Sequence, residues 1–327
     1  MLGLLDSCIS TLIVSVKRNN RILVSEFMIS VSIDHLRAFI AVVEENGFSN
    51  AAEKLHLSQS AVSTQVRLLE DRVGTTLFDR STRPPQLTDA GRTVLDFGRQ
   101  LVNTTGALER YLQEFSSGIA GEVRIGAISS ISADLLIPIV SKVLRISPDL
   151  KISITTQSRS LLYDAVHQST VDFAIVLSDR KPENLACKLV RSEPLCFAVS
   201  PKHFLRSKKV ITINDLKTAP FVHSLKGREY TKMIERLLEG IGLKDVKIAL
   251  RVSNWESIQE AAREGTGIAV LPKFVIDRDR KQPSLCELSV KDADLRADIM
   301  LVENPHRQFV SPSVLVVKDA LISGLTA

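Results

Sequence analysis

The chain is short of cysteine, with four in 327 residues: Cys8, Cys187, Cys196 and Cys286. They form no CxxC pair and no Cys/His cluster, which argues against a zinc site. They are also too few and too scattered for a disulfide scaffold, so a reducing cytoplasm is the expected setting. A long hydrophobic run is missing too. The most apolar stretch, residues 1–16, is short for a membrane span and is broken by Asp6, Ser7, Ser10 and Thr11. Its cations Lys17, Arg18 and Arg21 follow the apolar run, whereas an export signal puts them first. Residues 1–30 therefore read as an extension outside the fold, with Met28 a candidate start. Catalytic motifs are lacking as well: there is no GxSxG, no HExxH and no P-loop. Gly265-x-Gly267 lacks the rest of a dinucleotide fingerprint. No fixed-period repeat and no low-complexity tract occurs.

Charge of one sign is scarce where it would be most telling. The whole chain carries +5. Between Val31 and Ala90, however, six Lys/Arg face eight Asp/Glu, a balance of −2. Overall charge does not announce a nucleic-acid binder. Any DNA affinity must come from a few cations placed on one face.

What is present is a set of helix signals. Asp34 is a candidate N-cap for a helix to about Asn46, with Leu36, Phe39, Ile40, Val42 and Val43 on one face. Gly47 ends it. Ser49 or Asn50 is expected to cap the next helix, with Glu53 placed for a capping box. Ser58 caps a third, with Val62, Val66 and Leu69 inward and Gly74 as its stop. Residues 75–87 read as a β-ribbon. Thr88 caps a long helix, 89–115, whose apolar stripe (Val94, Leu95, Leu101, Val102, Leu108, Leu112, Phe115) calls for a partner helix. Ser116 to Gly121 is a flexible linker. Beyond it strand-like and helix-like segments alternate to the C-terminus. That alternation predicts an α/β domain with mainly parallel strands.

A helix that reads DNA needs small or hydrogen-bonding side chains in its first turns. Ser58, Gln59, Ser60, Ser63 and Thr64 supply them. Gln59 suits adenine, and Ser or Thr suits either base type. Arg67 lies a turn further on and suits a phosphate, while Arg80 and Arg83 on the ribbon reach a flanking phosphate or the minor groove. A polar surface helix would show some of the same pattern. The order of the motifs separates the two. Residues 34–92 resemble the N-terminal domain of the LysR-type transcriptional regulators. The resemblance is carried by Leu36-Arg37-Ala38-Phe39, Gly47-Phe48-Ser49, Ala51-Ala52, Leu57-Ser58-Gln59-Ser60-Ala61-Val62-Ser63, Leu69-Glu70, Gly74, Leu77-Phe78-Asp79-Arg80 and Leu87-Thr88-Asp89-Ala90-Gly91. It places major-groove contacts on Ser58, Gln59, Ser60 and Ser63, a backbone contact near Arg67 and the wing arginine on Arg80. Thr64 departs from the longer polar or basic residue of many relatives.

The resemblance implies a winged helix-turn-helix over 31–88 and a dimerisation helix and hinge over 89–121. It implies a two-lobed, periplasmic-binding-protein-like effector domain over 122–327, α/β in class. Lobe I would hold 122–191 and 299–327, and lobe II 192–298. In such folds a ligand sits where strand ends and helix N-termini converge. Ser129, Ser130 and Ser132 follow the first strand of that domain, and Gln157 and Ser158 the second. His223 and Ser224 follow Phe221-Val222, and Thr266 and Gly267 lie in the segment that lines the far side. A Ser or Thr in such places is more often only an N-cap. Arg159 and Arg228 could neutralise an anion, although exposed arginines are mostly just solvated. Cys187 and Cys196 invite a redox reading. Peroxide-sensing relatives place their pair near the segment occupied here by His223–Tyr230. Cys196 instead lies in the apolar run Leu195–Val199, like a buried small hydrophobe.

The reading is then a cytoplasmic, non-enzymatic regulator without cofactor or metal. Its partners would be double-stranded promoter DNA, a small-molecule effector of which an anion is one option, further copies of itself in a homodimer or homotetramer, and RNA polymerase as a further option. No membrane is involved. A solute-uptake protein would need an export signal and no helix-turn-helix. An α/β enzyme would need a catalytic set that the pattern does not bring together.

Overall fold

The computed structural model describes residues 17–18, 21–22, 31–81, 84–117, 121–279, 285–307 and 309–326. The extension read over 1–30 lies outside them, apart from a two-strand ribbon, β1 (Lys17–Arg18) and β2 (Arg21–Ile22). Arg83 lies outside them as well. The chain forms two compact units, 1–103 and 104–327.

In the first unit α1 (Ile33–Glu44), α2 (Phe48–Leu55) and α3 (Gln59–Val73) pack around Phe39, Val62, Val66, Leu69 and Leu77, all fully buried. Each such large side chain contributes about 1.5–3 kcal/mol. Ser32, rather than Asp34, caps α1, its hydroxyl accepting the Asp34 N–H at 3.3 Å. Helix α2 starts from Gly47 with no side-chain cap, rather than from Ser49 or Asn50. Phe48 is its first residue, and it meets Phe78 edge-on with ring centres 5.7 Å apart. That packing starts the helix earlier than cap chemistry alone would. Ser58 caps α3 through the Ala61 N–H at 3.1 Å. Gly74 ends it in the left-handed conformation, φ +77°, which glycine adopts without strain. Strands β3 (Phe78–Asp79) and β4 (Gln86–Leu87) form the wing. Thr88 caps the long α4 (Asp89–Ser117), its hydroxyl accepting the Gly91 N–H at 2.9 Å.

The second unit opens with β5 (Glu122–Ala127), a short α5 (Ser129–Ile131), a π-helical turn at 132–136 and α6 (Ile137–Ile146). Then come β6 (Lys151–Thr156), α7 (Arg159–His167), β7 (Phe173–Ser178) and β8 (Ala186–Val199). A 3₁₀ turn precedes α8 (Ile213–Lys217), β9 (Phe221–Ser224), α9 (Glu229–Gly240) and β10 (Ile248–Val252). The chain ends with α10 (Trp255–Arg263), β11 (Ala269–Pro272), α11 (Lys273–Asp279), β12 (Cys286–Leu288), β13 (Leu295–Glu303) and α12 (Pro312–Thr326). A seven-stranded sheet runs β11-β8-β13-β7-β5-β6, with β12 on β8. Strands β9 and β10 pair in parallel beside it.

The sheet is mixed rather than mainly parallel. Strand β5 pairs in parallel with β6 and β7, but β13 is antiparallel to both β7 and β8, and β11 and β12 are antiparallel to β8. The antiparallel pairs arise because β13, returning from the other half of the unit, inserts between β7 and β8, which share a direction, and runs against both. β8 and β13 run between the two α/β halves of the unit. One hydrophobic core, built on residues such as Ile125, Phe173, Phe197, Phe221 and Leu271, spans both.

Candidate functional site

Two surfaces gather the polar side chains that the sequence singles out. The first is the outer face of α3. Ser60, Ser63, Thr64 and Arg67 fall on one side at helical spacing, opposite buried Val62, Val66 and Leu69. Ser58, Gln59, Ser60, Thr64 and Arg67 are exposed, and Ser63 is half-buried. The Ser58 and Ser60 hydroxyls lie 3.0 Å apart. Thr64 donates its hydroxyl to the Ser60 carbonyl at 2.8 Å, which leaves its oxygen only as an acceptor for a base edge.

The wing is held from inside by a residue that sequence reasoning used only as a motif position. The Glu70 side chain is 9% exposed. Its Oε1 accepts the N–H groups of Leu77 at 2.8 Å and Phe78 at 3.3 Å, and its Oε2 accepts Arg80 Nη2 at 2.9 Å. The buried carboxylate thus satisfies the entry to β3 and aims Arg80, which remains half-exposed on the wing.

The second surface is a cavity of about 160 Å³ in the other unit, between its two α/β halves. Ser129, Ser130, Ser158 and Ser224 line it. Arg159, Arg228, the carboxylate Glu229, Tyr230, Ser253, Asn254 and Trp255 line it as well, with Ile128, Leu177 and Ile258 as apolar wall. Ser132, Gln157, His223, Thr266 and Gly267 are outside this lining. Ser132 is buried in the π-helical turn, and Gln157 is exposed. His223 and Ser224 are neighbours on β9, so their side chains leave opposite faces, and only Ser224 meets this cavity. A Cβ on Gly267 would come 2.5 Å from the Pro220 carbonyl oxygen, so this glycine serves close backbone packing. Thr266 is half-buried, and its N–H closes the end of α10 on Ala261 O at 3.0 Å.

The cavity offers preset donors. Arg159 is 14% exposed and anchored by Nη1 to Ser178 Oγ at 2.8 Å and Leu177 O at 3.2 Å. The Trp255 indole N–H is buried without a hydrogen-bond partner. Tyr230 stacks edge-on against Trp255, centres 4.5 Å apart, and donates its hydroxyl to Val270 O at 2.6 Å. Burial pushes the Tyr230 phenol well above its ordinary range, so it stays a neutral donor. Polar links join the halves around the cavity, among them the Arg159–Glu229 ion pair at 3.9 Å. Ser129 Oγ donates to Glu256 at 3.2 Å, the Ser160 N–H donates to Glu229 at 3.0 Å, and Arg236 grips Asp179 with two bonds of 2.7 and 2.8 Å.

Cys196 stays a protonated thiol at neutral pH. Burial, then the Glu287 carboxylate beside it, pushes its thiol up to about 12. Cys187, Cys196 and Cys286 are all free. No described helix is long and apolar enough to cross a membrane.

An outward polar face on the second helix of a helix-turn-helix, with a wing beside it, and a separate two-lobed α/β unit with a cavity between its lobes define a ligand-linked DNA-binding regulator. The comparisons agree. A "Bacterial regulatory helix-turn-helix protein, lysR family" model matches residues 33–92 and a "LysR substrate binding domain" model residues 116–325. The chain is similar to the HTH-type transcriptional regulator CysL of Bacillus subtilis (strain 168), 25% identical over 83% of this chain and 91% of that one. It is 27% identical to the RuBisCO operon transcriptional regulator of Allochromatium vinosum, over 90% of this chain and 96% of that one. The fold matches full-length CbnR complexed with its target DNA at a TM-score of 0.64, with 18% identity over 90% of this chain and 99% of that one. The chain belongs to the LysR family and is a DNA-binding transcriptional regulator.

Proposed function

We propose that the chain acts in the cytoplasm as a homodimer or homotetramer on double-stranded promoter DNA, with RNA polymerase a further partner. The α3 face of Ser60, Ser63, Thr64 and Arg67 enters the major groove, and Arg80 reaches from the wing to the backbone. The observation that carries this reading is that the first turns of the outer face of α3 present short polar side chains and Arg67, exposed or half-buried, while the core takes Val62, Val66 and Leu69. Phe97, Leu101 and Leu112 are more than half exposed along α4, the kind of stripe that a second copy of the helix covers.

The cavity between the lobes takes a small effector with an anionic group and an apolar body. Arg159 and Arg228 neutralise the anion, Ser129, Ser158 and the Trp255 N–H donate to it, and Leu177 and Ile258 meet the body. Effector binding changes how firmly the lobes close, and closure sets the spacing of the paired DNA-reading helices. The test is a gel shift on the DNA upstream of the chain's own gene across a salt series. A shift that weakens steeply with salt and is lost in Arg67→Ala supports the reading. A shift that ignores both salt and Arg67 contradicts it.

A further inference from the structure

A second cavity, of about 430 Å³, lies entirely within the half of the effector unit that carries β9, α9 and β10. It is walled by the later turns of α9, the 243–246 turn and strand β10. The apolar part is Leu238, Leu243 and Ile248. The charged part is balanced: Lys226, Lys244 and Arg251 face Glu235, Glu239 and Asp245. Lys244 and Glu239 pair with each other, which leaves two cations and two carboxylates at the cavity.

His223 is the buried member of this set, 4% exposed. Its Nδ1 accepts the Ser224 N–H at 3.1 Å, so the ring proton resides on Nε2. That Nε2–H is buried and has no hydrogen-bond partner. Burial, then the Arg251 charge, lowers the His223 pKa to about 4, so the ring is a neutral single donor at neutral pH. Arg251 spends Nη1 on the Ser224 carbonyl at 2.9 Å and keeps the rest of its fork. An orphaned donor beside a guanidinium is a place for a carboxylate. A simple anion would meet Glu235 and Asp245, and a simple cation would meet Lys226 and Arg251. A molecule with both charges suits both walls.

We propose that this cavity is a second ligand site that takes a zwitterionic α-amino acid. The carboxylate sits on His223 Nε2–H, Arg251 and Lys226, the ammonium faces Glu235 or Asp245, and the side chain lies on Leu238 and Leu243. The site reaches the first cavity through one residue. Ser224 lends its N–H to His223 and its carbonyl to Arg251, and it lines the cavity between the lobes. A ligand on His223 and Arg251 therefore acts on the peptide that the effector meets, which is the contact that linkage between two sites needs.

The test uses the full-length protein and each of the twenty standard amino acids, in thermal melts followed by calorimetric titration. At least one amino acid is expected to raise Tm by about 2–4 °C near saturation. Lys226→Ala, an exposed change that spares the core, and Arg251→Gln should each weaken that amino acid at least tenfold. Arg228→Ala, in the first cavity, should leave its affinity unchanged. The proposal is overturned if none of the twenty raises Tm, or if the shift survives in both Lys226→Ala and Arg251→Gln. It is equally overturned if Arg228→Ala alone abolishes the shift, which places the ligand between the lobes. Arg251→Gln changing the sedimenting mass with no amino acid bound by the wild type would show a second copy in the cavity instead.

Discussion

Replacing Arg236 with alanine should loosen the lobes of the effector unit. Arg236 on α9 holds Asp179, which follows β7, with bonds of 2.7 and 2.8 Å. The side chains are 32% and 10% exposed, so the pair is neither free in water nor fully desolvated. A charge-assisted bond in such a place contributes about 1.5–3 kcal/mol, and solvent screening on the arginine side argues for the lower end, about 2 kcal/mol for the pair. That corresponds to roughly a thirtyfold change in the ratio of closed to open lobes. The melting temperature of the effector unit should fall by about 4–8 °C. Exchange of backbone amides at 158–160 should quicken, because the Ser160 N–H bond to Glu229 crosses the same gap. Asp179→Asn and the double variant complete a cycle with a coupling of about 2 kcal/mol. The pair also carries a pH signature. Burial works against the Asp179 charge, but the Arg236 hydrogen bonds outweigh it and hold the carboxyl below its ordinary value. A depressed carboxylate stabilises the fold above its unfolded pKa and loses that effect as pH falls through the folded one, so the coupling should be constant at neutral pH and fade below about pH 4. A coupling under about 0.3 kcal/mol at neutral pH would refute the idea that this pair latches the lobes.

Other outcomes follow from single contacts. Glu70→Ala removes the acceptor for two buried N–H groups and for Arg80, and should cost the DNA-binding unit about 2–4 kcal/mol in denaturant melts; Glu70→Gln should lose less. Gly267→Ala drives a Cβ onto the Pro220 carbonyl and should destabilise by about 1–3 kcal/mol, with calorimetric affinity for any effector unchanged once folded. Cys196, with its thiol near 12, should resist a maleimide at pH 8 in the native protein and react after unfolding, read by mass spectrometry.

Much of the first unit was legible because its signals are local. Ser58, Gly74 and Thr88 each satisfy or end a helix through atoms within a few residues, and each does so here. The first two N-caps were misplaced for opposite reasons. At α1 an equally good cap, Ser32, sits two residues upstream of Asp34. At α2 the packing of Phe48 on Phe78 overrides the caps on offer. In the second unit the alternation located most elements but hid the part of β8 before the apolar run Leu195–Val199, where Lys188, Arg191, Glu193 and Pro194 break the apolar pattern. Glu193 is in fact 3% exposed and paired with Arg191 at 2.7 Å, a burial that no single-strand pattern reveals. For the cavity, the rule that ligands gather at strand ends reached Ser129, Ser130, Ser158 and Ser224. It could not choose between adjacent residues of β9, where a step of one reverses the face. Trp255 and Tyr230 went unread because their place in the cavity depends on how α9 and α10 pack together, and no local signal encodes that.

The DNA-reading role proposed for the polar face of α3 is open to a direct test. Its most direct measurement is fluorescence anisotropy of a labelled duplex from upstream of the gene, titrated with wild type and with Ser60→Glu. Ser60 is exposed, so the change leaves the core intact and the melting temperature should stay within about 1 °C. It sets a negative charge and extra bulk against the base edges and phosphates. Affinity should fall at least a hundredfold, equivalent to about 2.7 kcal/mol. Equal affinity for the two proteins, with both folded, would contradict the account.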